Sequence, residues 1–110
     1  QQGADHAEPW DGATTMAAGI RVPSAIGDYL ILQALQKSGG TAVTVSDTEM
    51  VDAVRDMAAS EGVYPAPEGA ATLAGLRKLL REEAVDPSAT IVLMNTGSAY
   101  KYLDVLAPPL

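Results

Sequence analysis

Residues 90–94, TIVLM, form an unbroken apolar run that stops abruptly at Asn95-Thr96-Gly97-Ser98. A strand with one wet face alternates apolar and polar side chains. An unbroken run instead fits a central strand covered on both faces. Such a strand needs neighbours on both edges. The only other segment with strand character is TAVTV at 41–45, bounded by glycines and a serine. Two strands are too few for a stable sheet. The chain therefore reads as a piece of a larger α/β sheet, or as a protein that completes its sheet with a second chain.

The segments around these strands carry helical spacing. Residues 23–37 place Ile26, Tyr29, Leu30, Ala34 and Leu35 on one face, and Ile31 and Leu32 widen the arc, which predicts a helix buried on more than one side. Pro23 suits its first turn, and Gly39-Gly40 supplies the stop. Ser46 followed by Glu49 has capping-box spacing and opens a second helix to about residue 60, with Val51, Val54 and Ala58 as its stripe and Met50 and Met57 beside it. A third helix begins near Glu68, with Ala70, Leu73, Leu76 and Leu80 sharing a face. A short helix over 99–106 follows the last strand. The expected fold class is α/β in the order α-β-α-α-β-α. Residues 1–14 read as an irregular lead-in in which Trp10 buries its ring, residues 15–107 as the structured part, and residues 108–110 as a tail.

The chemistry open to this chain is narrow. It has no cysteine, which excludes thiolate metal sites, and its one histidine, His6, makes a poor metal site alone, so no metal is expected. Seven Lys and Arg against fourteen Asp and Glu give a net charge of −7 with no basic stripe, which argues against nucleic acid. No apolar run approaches the length of a membrane span, and the first residues lack signal-peptide order. A cytoplasmic protein with no membrane partner is expected.

Two segments can carry a site. In open α/β sheets ligands lie beyond the carboxyl ends of strands. TIVLM ends at Asn95, Thr96 and Gly97, where Thr96 offers a neutral hydroxyl and Gly97 allows close backbone approach. Asn and Gly are also ordinary turn residues, and the local pattern leaves both readings open. Glu68 sits at a helix start, where a carboxylate is favoured by the helix dipole whatever else it does. Gly69, Ala70 and Ala71 are small enough to pack against a cofactor or against another helix.

Three blocks then carry a family resemblance. TMAAGIRVPSAIGDYLILQALQKSGGTAVTVSD, EGVYPAPEGAATLAGLRKL and IVLMNTGSAYKY resemble, in order and spacing, the closing blocks of the threonine synthases. The resemblance covers residues 14 to about 103. It implies the C-terminal part of the large domain of a tryptophan synthase β-like (fold type II) pyridoxal-phosphate enzyme. Such an enzyme converts O-phosphohomoserine, a small-molecule substrate, and water to threonine and phosphate. It implies that Thr96 hydrogen-bonds the pyridine nitrogen of pyridoxal phosphate, with Gly97, Asn95 and Glu68 beside it as cofactor-binding residues. It also implies that the catalytic Schiff-base lysine and the glycine-rich phosphate loop lie upstream of this sequence. Lys37, Lys78 and Lys101 occupy neither position, so the segment alone is expected to be inactive. It is expected to self-associate through its unpaired sheet edges, and the parent to be a homo-oligomer. Two other readings stay open: a freestanding, non-catalytic association or regulatory module, and a segment of a related pyridoxal-phosphate lyase or synthase.

Overall fold

Helix α2, Asp47–Glu61, starts where its sequence offers both halves of a capping box. The Ser46 hydroxyl accepts from the Glu49 N–H, and the Glu49 carboxylate accepts from the Ser46 N–H at 2.7 Å. The helix ends at Gly62, whose φ of +66° is the left-handed conformation that suits glycine. Helix α3, Pro67–Arg81, begins with proline in its first turn and ends with Lys78 and Arg81 near its negative pole. Before them runs α1, Asp28–Ser38, stopped by Gly39 at a φ of +66°. A single 3₁₀ turn covers Ala18–Ile20, another covers Ala99–Tyr102, and a last helical turn, α4, follows at Leu103–Leu106. These elements belong to a computed structural model that describes residues 4–106, so the expected tail and residue 107 lie outside the described part.

The core sits between α2 and α3. Ala53 and Val54 of one meet Ala70 and Ala74 of the other, with Val45, Leu73 and Leu106 packed around them. Small side chains let the two helices approach closely, which suits the many alanines of the chain. Arg77 pairs with Asp56 at 2.7 Å across the solvent side of the hairpin. The stripe of α2 is rotated from the expected one: Met50, Ala53 and Val54 are buried, whereas Val51 and Ala58 are only half-buried. On α3 the buried residues are Pro67, Gly69, Ala70, Ala74 and Gly75, and the predicted face of Leu73, Leu76 and Leu80 stays half-open.

The expected order α-β-α-α-β-α is not what the chain forms. Among the described residues there is no strand; the only ladder pairing is an isolated antiparallel bridge between Pro65 and Ser98. Among the described residues, 42–45 and TIVLM belong to no ladder. The physical reason is that a helix closes its hydrogen bonds within itself, whereas a strand is defined by bonds to another strand. TAVTV lies along α3, where the Lys78 Nζ donates to the Thr44 carbonyl at 3.1 Å. TIVLM leaves Val92 83% and Met94 69% exposed.

Helix α1 departs from expectation in the same way. It starts at Asp28 rather than at Pro23, because Gly27 takes the N-cap position and the Asp28 carboxylate accepts from the Tyr29 and Ala7 N–H groups. It buries no residue, and Ile26 before it is 99% exposed. Residues 4–14 form no helix, and Trp10, expected to bury its ring, is 74% exposed. Polar bonds tie that segment down instead: the Trp10 N–H donates to the Pro23 carbonyl at 2.8 Å, and the Ala7 N–H to the Asp28 carboxylate at 2.7 Å.

The core is accordingly slight. Its largest fully buried side chains are Val54, Pro65 and Pro67. The accessible surface is 7986 Å², against about 5,800 Å² for a compact monomer of this mass. The radius of gyration is 15.1 Å, where about 13 Å fits a compact domain of this length.

Candidate functional site

The two candidate segments of the sequence come together. The entry to α3, residues 64–69, is a buried ledge: Pro65, Ala66, Pro67 and Gly69 are all buried. The turn after TIVLM hangs on it by two backbone bonds. Ala66 N–H donates to the Gly97 carbonyl at 2.9 Å, and Ala99 N–H donates to the Tyr64 carbonyl at 3.0 Å. Within the turn the Gly97 N–H reaches the Asn95 Oδ1 at 3.4 Å, and the Ser98 hydroxyl caps the following 3₁₀ turn by accepting from the Tyr100 N–H.

Glycine lets these surfaces touch. A Cβ placed on Gly69 would run into the Asn95 side-chain oxygen, so Asn95 fills a notch that only glycine leaves open. A Cβ on Gly97 would sit 3.3 Å from the Ala66 Cβ, tighter than ordinary packing. Thr96, between them, is exposed, and its hydroxyl has no hydrogen-bond partner among the described residues.

Glu68 does not stand with Thr96 as a free group. Its Oε1 accepts from the Gly19 N–H at 2.7 Å and from the Tyr102 hydroxyl. Partial burial pushes its carboxyl upward, but the Tyr102 hydroxyl outweighs this together with the backbone N–H groups of Glu68 and Gly19 and the Lys101 charge. The net effect holds Glu68 below its ordinary value. The same bond to Glu68, followed by burial, raises the Tyr102 phenol. Sequence reasoning missed Gly19 and Tyr102. Their partners lie 49 and 34 residues away, and no local pattern signals such a tie.

The donor set fits one wall of a site for a flat heteroaromatic ligand: a free neutral hydroxyl at the carboxyl end of an apolar run, on a turn with small residues around it. It does not fit covalent attachment. Lys78 is engaged with Thr44, Lys37 sits in the exposed last turn of α1, and Lys101 is exposed, with its Nζ near Gly97. No helix among the described residues is long and apolar enough to cross a membrane.

Comparison with known proteins gives the family. Residues 1–97 match the pyridoxal-phosphate dependent enzymes, and the chain belongs to that family, which has the tryptophan synthase β-like fold. Its cofactor is pyridoxal phosphate. The chain is 37% identical to the threonine synthase of Methanocaldococcus jannaschii over 84% of its own length and 23% of that protein. It is 36% identical to the threonine synthase of Methanosarcina acetivorans over 92% of its length and 25% of that protein. It is 34% identical to that of a Synechocystis species, over 86% and 24%. The chain thus spans about a quarter of the length of the curated relatives it matches.

Proposed function

We propose that this chain forms part of a pyridoxal-phosphate threonine synthase that converts O-phosphohomoserine and water to threonine and phosphate, and that it supplies the wall of the cofactor site facing the pyridine nitrogen. The observation that carries the reading is Thr96. Its hydroxyl is unpartnered at the carboxyl end of TIVLM, on a turn fixed to a buried ledge. The relatives named threonine synthase supply the substrate class. Pyridoxal phosphate, when bound, supplies an electron sink for bond making and breaking at the amino-acid substrate.

The chain's own contribution is orientation. The Thr96 hydroxyl would donate a hydrogen bond to the ring nitrogen, and being neutral it would not hold that nitrogen protonated as a carboxylate would. Asn95 and Gly97 shape the wall on either side, and Glu68 lies at its base. The segment has no lysine suited to hold the cofactor covalently, so alone it has no turnover and keeps no pyridoxal phosphate through gel filtration. The open surfaces of α1 and TIVLM are covered by the rest of the enzyme, and in the isolated chain they drive self-association.

The test uses the full-length polypeptide that carries this segment. Thr96→Ser keeps the hydroxyl and retains most activity. Thr96→Val is nearly isosteric but leaves the ring nitrogen unpaired, and turnover falls roughly ten- to hundredfold. Turnover of the valine variant within about twofold of the wild type would make Thr96 an ordinary turn residue and sink the reading.

A further inference from the structure

Glu68 occupies a position where a carboxylate needs no explanation beyond the helix dipole. Its contacts go further. One oxygen, Oε1, receives the Gly19 N–H and the Tyr102 hydroxyl, and so joins three segments far apart in sequence. Tyr102 closes the 3₁₀ turn that begins at Ala99, directly after the turn bearing Thr96. On the other side of Thr96, the Asn95 side chain fills the notch over Gly69. Two consecutive residues of α3, Glu68 and Gly69, therefore grip the chain on both flanks of Thr96. Between the grips, Thr96 itself touches no polar partner among the described residues.

We propose that Glu68 and Tyr102 are positioning residues that set the aim of the Thr96 hydroxyl. The proposal rests on the reading of Thr96 given above. The Glu68–Tyr102 bond fixes the downstream flank of the turn, and Asn95 in its glycine notch fixes the upstream flank. Glu68 in this role is an acceptor for two protein donors and acts on the cofactor only through the turn. What it requires is an oxygen at that place, not a negative charge. Orientation matters at this scale: misplacement of a reacting partner by about 1 Å costs on the order of a hundredfold in rate.

Five variants of the full-length polypeptide separate this role from its rivals: Tyr102→Phe, Glu68→Ala, the double variant combining these two, Glu68→Gln and Thr96→Val. Three quantities are read: the dissociation constant of pyridoxal phosphate from the apo protein, kcat against KM, and the urea midpoint. Tyr102→Phe and Glu68→Ala should each lower kcat and weaken cofactor binding roughly tenfold, with KM for the amino-acid substrate nearly unchanged. The double variant should be no worse than Glu68→Ala, since both changes break one contact. Glu68→Gln keeps an acceptor oxygen and should stay within about threefold of the wild type. If Glu68→Gln is as damaged as Glu68→Ala while Tyr102→Phe is intact, the charge of Glu68 acts on the cofactor directly and the positioning role is wrong. If Tyr102→Phe shifts only the urea midpoint, the bond is structural and the proposal fails, whereas a loss in Thr96→Val would leave the reading of Thr96 standing. A Thr96→Val enzyme like the wild type would overturn both.

Discussion

Val54 and Val92 both sit in apolar patterns, yet Val54 is 1% exposed and Val92 is 83% exposed. Val54 belongs to the α2–α3 hairpin, where the two helices satisfy their own backbones and need only each other's small faces. Val92 belongs to TIVLM, whose backbone and side chains both require neighbours, and none of the described residues provides a strand beside it. The difference teaches that apolarity alone does not bury a residue. Burial follows where the secondary structure can be completed from the chain at hand.

The sharpest way to break this comparison is one substitution in each region. Val54→Asp places an unpaired charge in the core between α2 and α3, and should destabilise the hairpin by about 3–5 kcal/mol, with loss of most helical circular dichroism. Val92→Asp in the same 110-residue chain, at concentrations low enough to keep it monomeric, should change stability by less than about 0.5 kcal/mol, because the side chain is already in water. If TIVLM is covered in the full-length polypeptide, as we propose, Val92→Asp should there become as damaging as Val54→Asp. Equal damage from both in the isolated chain would show that TIVLM is packed there, and the contrast between the regions would be false.

A smaller effect tests the local side of the comparison. Ser46→Ala removes the hydroxyl that accepts from the Glu49 N–H at 3.3 Å. It should cost about 1 kcal/mol, seen as a lower urea midpoint with unchanged slope. Ser60, near the other end of α2, donates only to the Asp56 carbonyl of its own helix, and Ser60→Ala should have a much smaller effect. If the two serines are equivalent, the hairpin owes its start to tertiary packing rather than to the cap.

The same division explains what the sequence could tell. The capping box at Ser46 and Glu49, the glycine stop at Gly39, the start of α3 and the short helical turns after residue 98 were all legible, because each is decided within a few residues. The strands were not, because TAVTV and TIVLM have the composition of strands, whereas the described residues form no ladder that would make one. The start of α1 was misread because Pro23 suits a first turn, but Gly27 and Asp28 offer a better one four to five residues later. At the site, the NTGS turn and the PEGA block were legible as separate pieces, and their docking through Ala66 and Gly97 was not. Tyr102 was legible only as an apolar-polar residue of a short helix, since its bond to Glu68 is made across the fold.

The finest test bears on Glu49 alone. Its carboxylate accepts from the Ser46 N–H at 2.7 Å and from the Ser46 hydroxyl at 2.9 Å, and Arg81 lies 3.7 Å away. The backbone bond to Ser46 is the largest influence, and it holds the carboxyl below the ordinary glutamate value of 4.5. A carboxylate lowered on folding contributes stability that is fully present above the unfolded value and is lost as pH falls through the folded one. The contribution of Glu49 is therefore intact at neutral pH and disappears below 4.5. Asp28, Glu68 and Asp86 are lowered as well, so the wild-type acid transition sums several groups. Glu49→Gln isolates one of them, since the amide still accepts from Ser46 but does not titrate. The two proteins should differ in stability above that window and converge below it, as read from urea midpoints at a series of pH values. A constant difference across the whole range would mean that the Glu49 charge is not coupled to the cap, and that the Ser46 hydroxyl sustains the start of α2 without it.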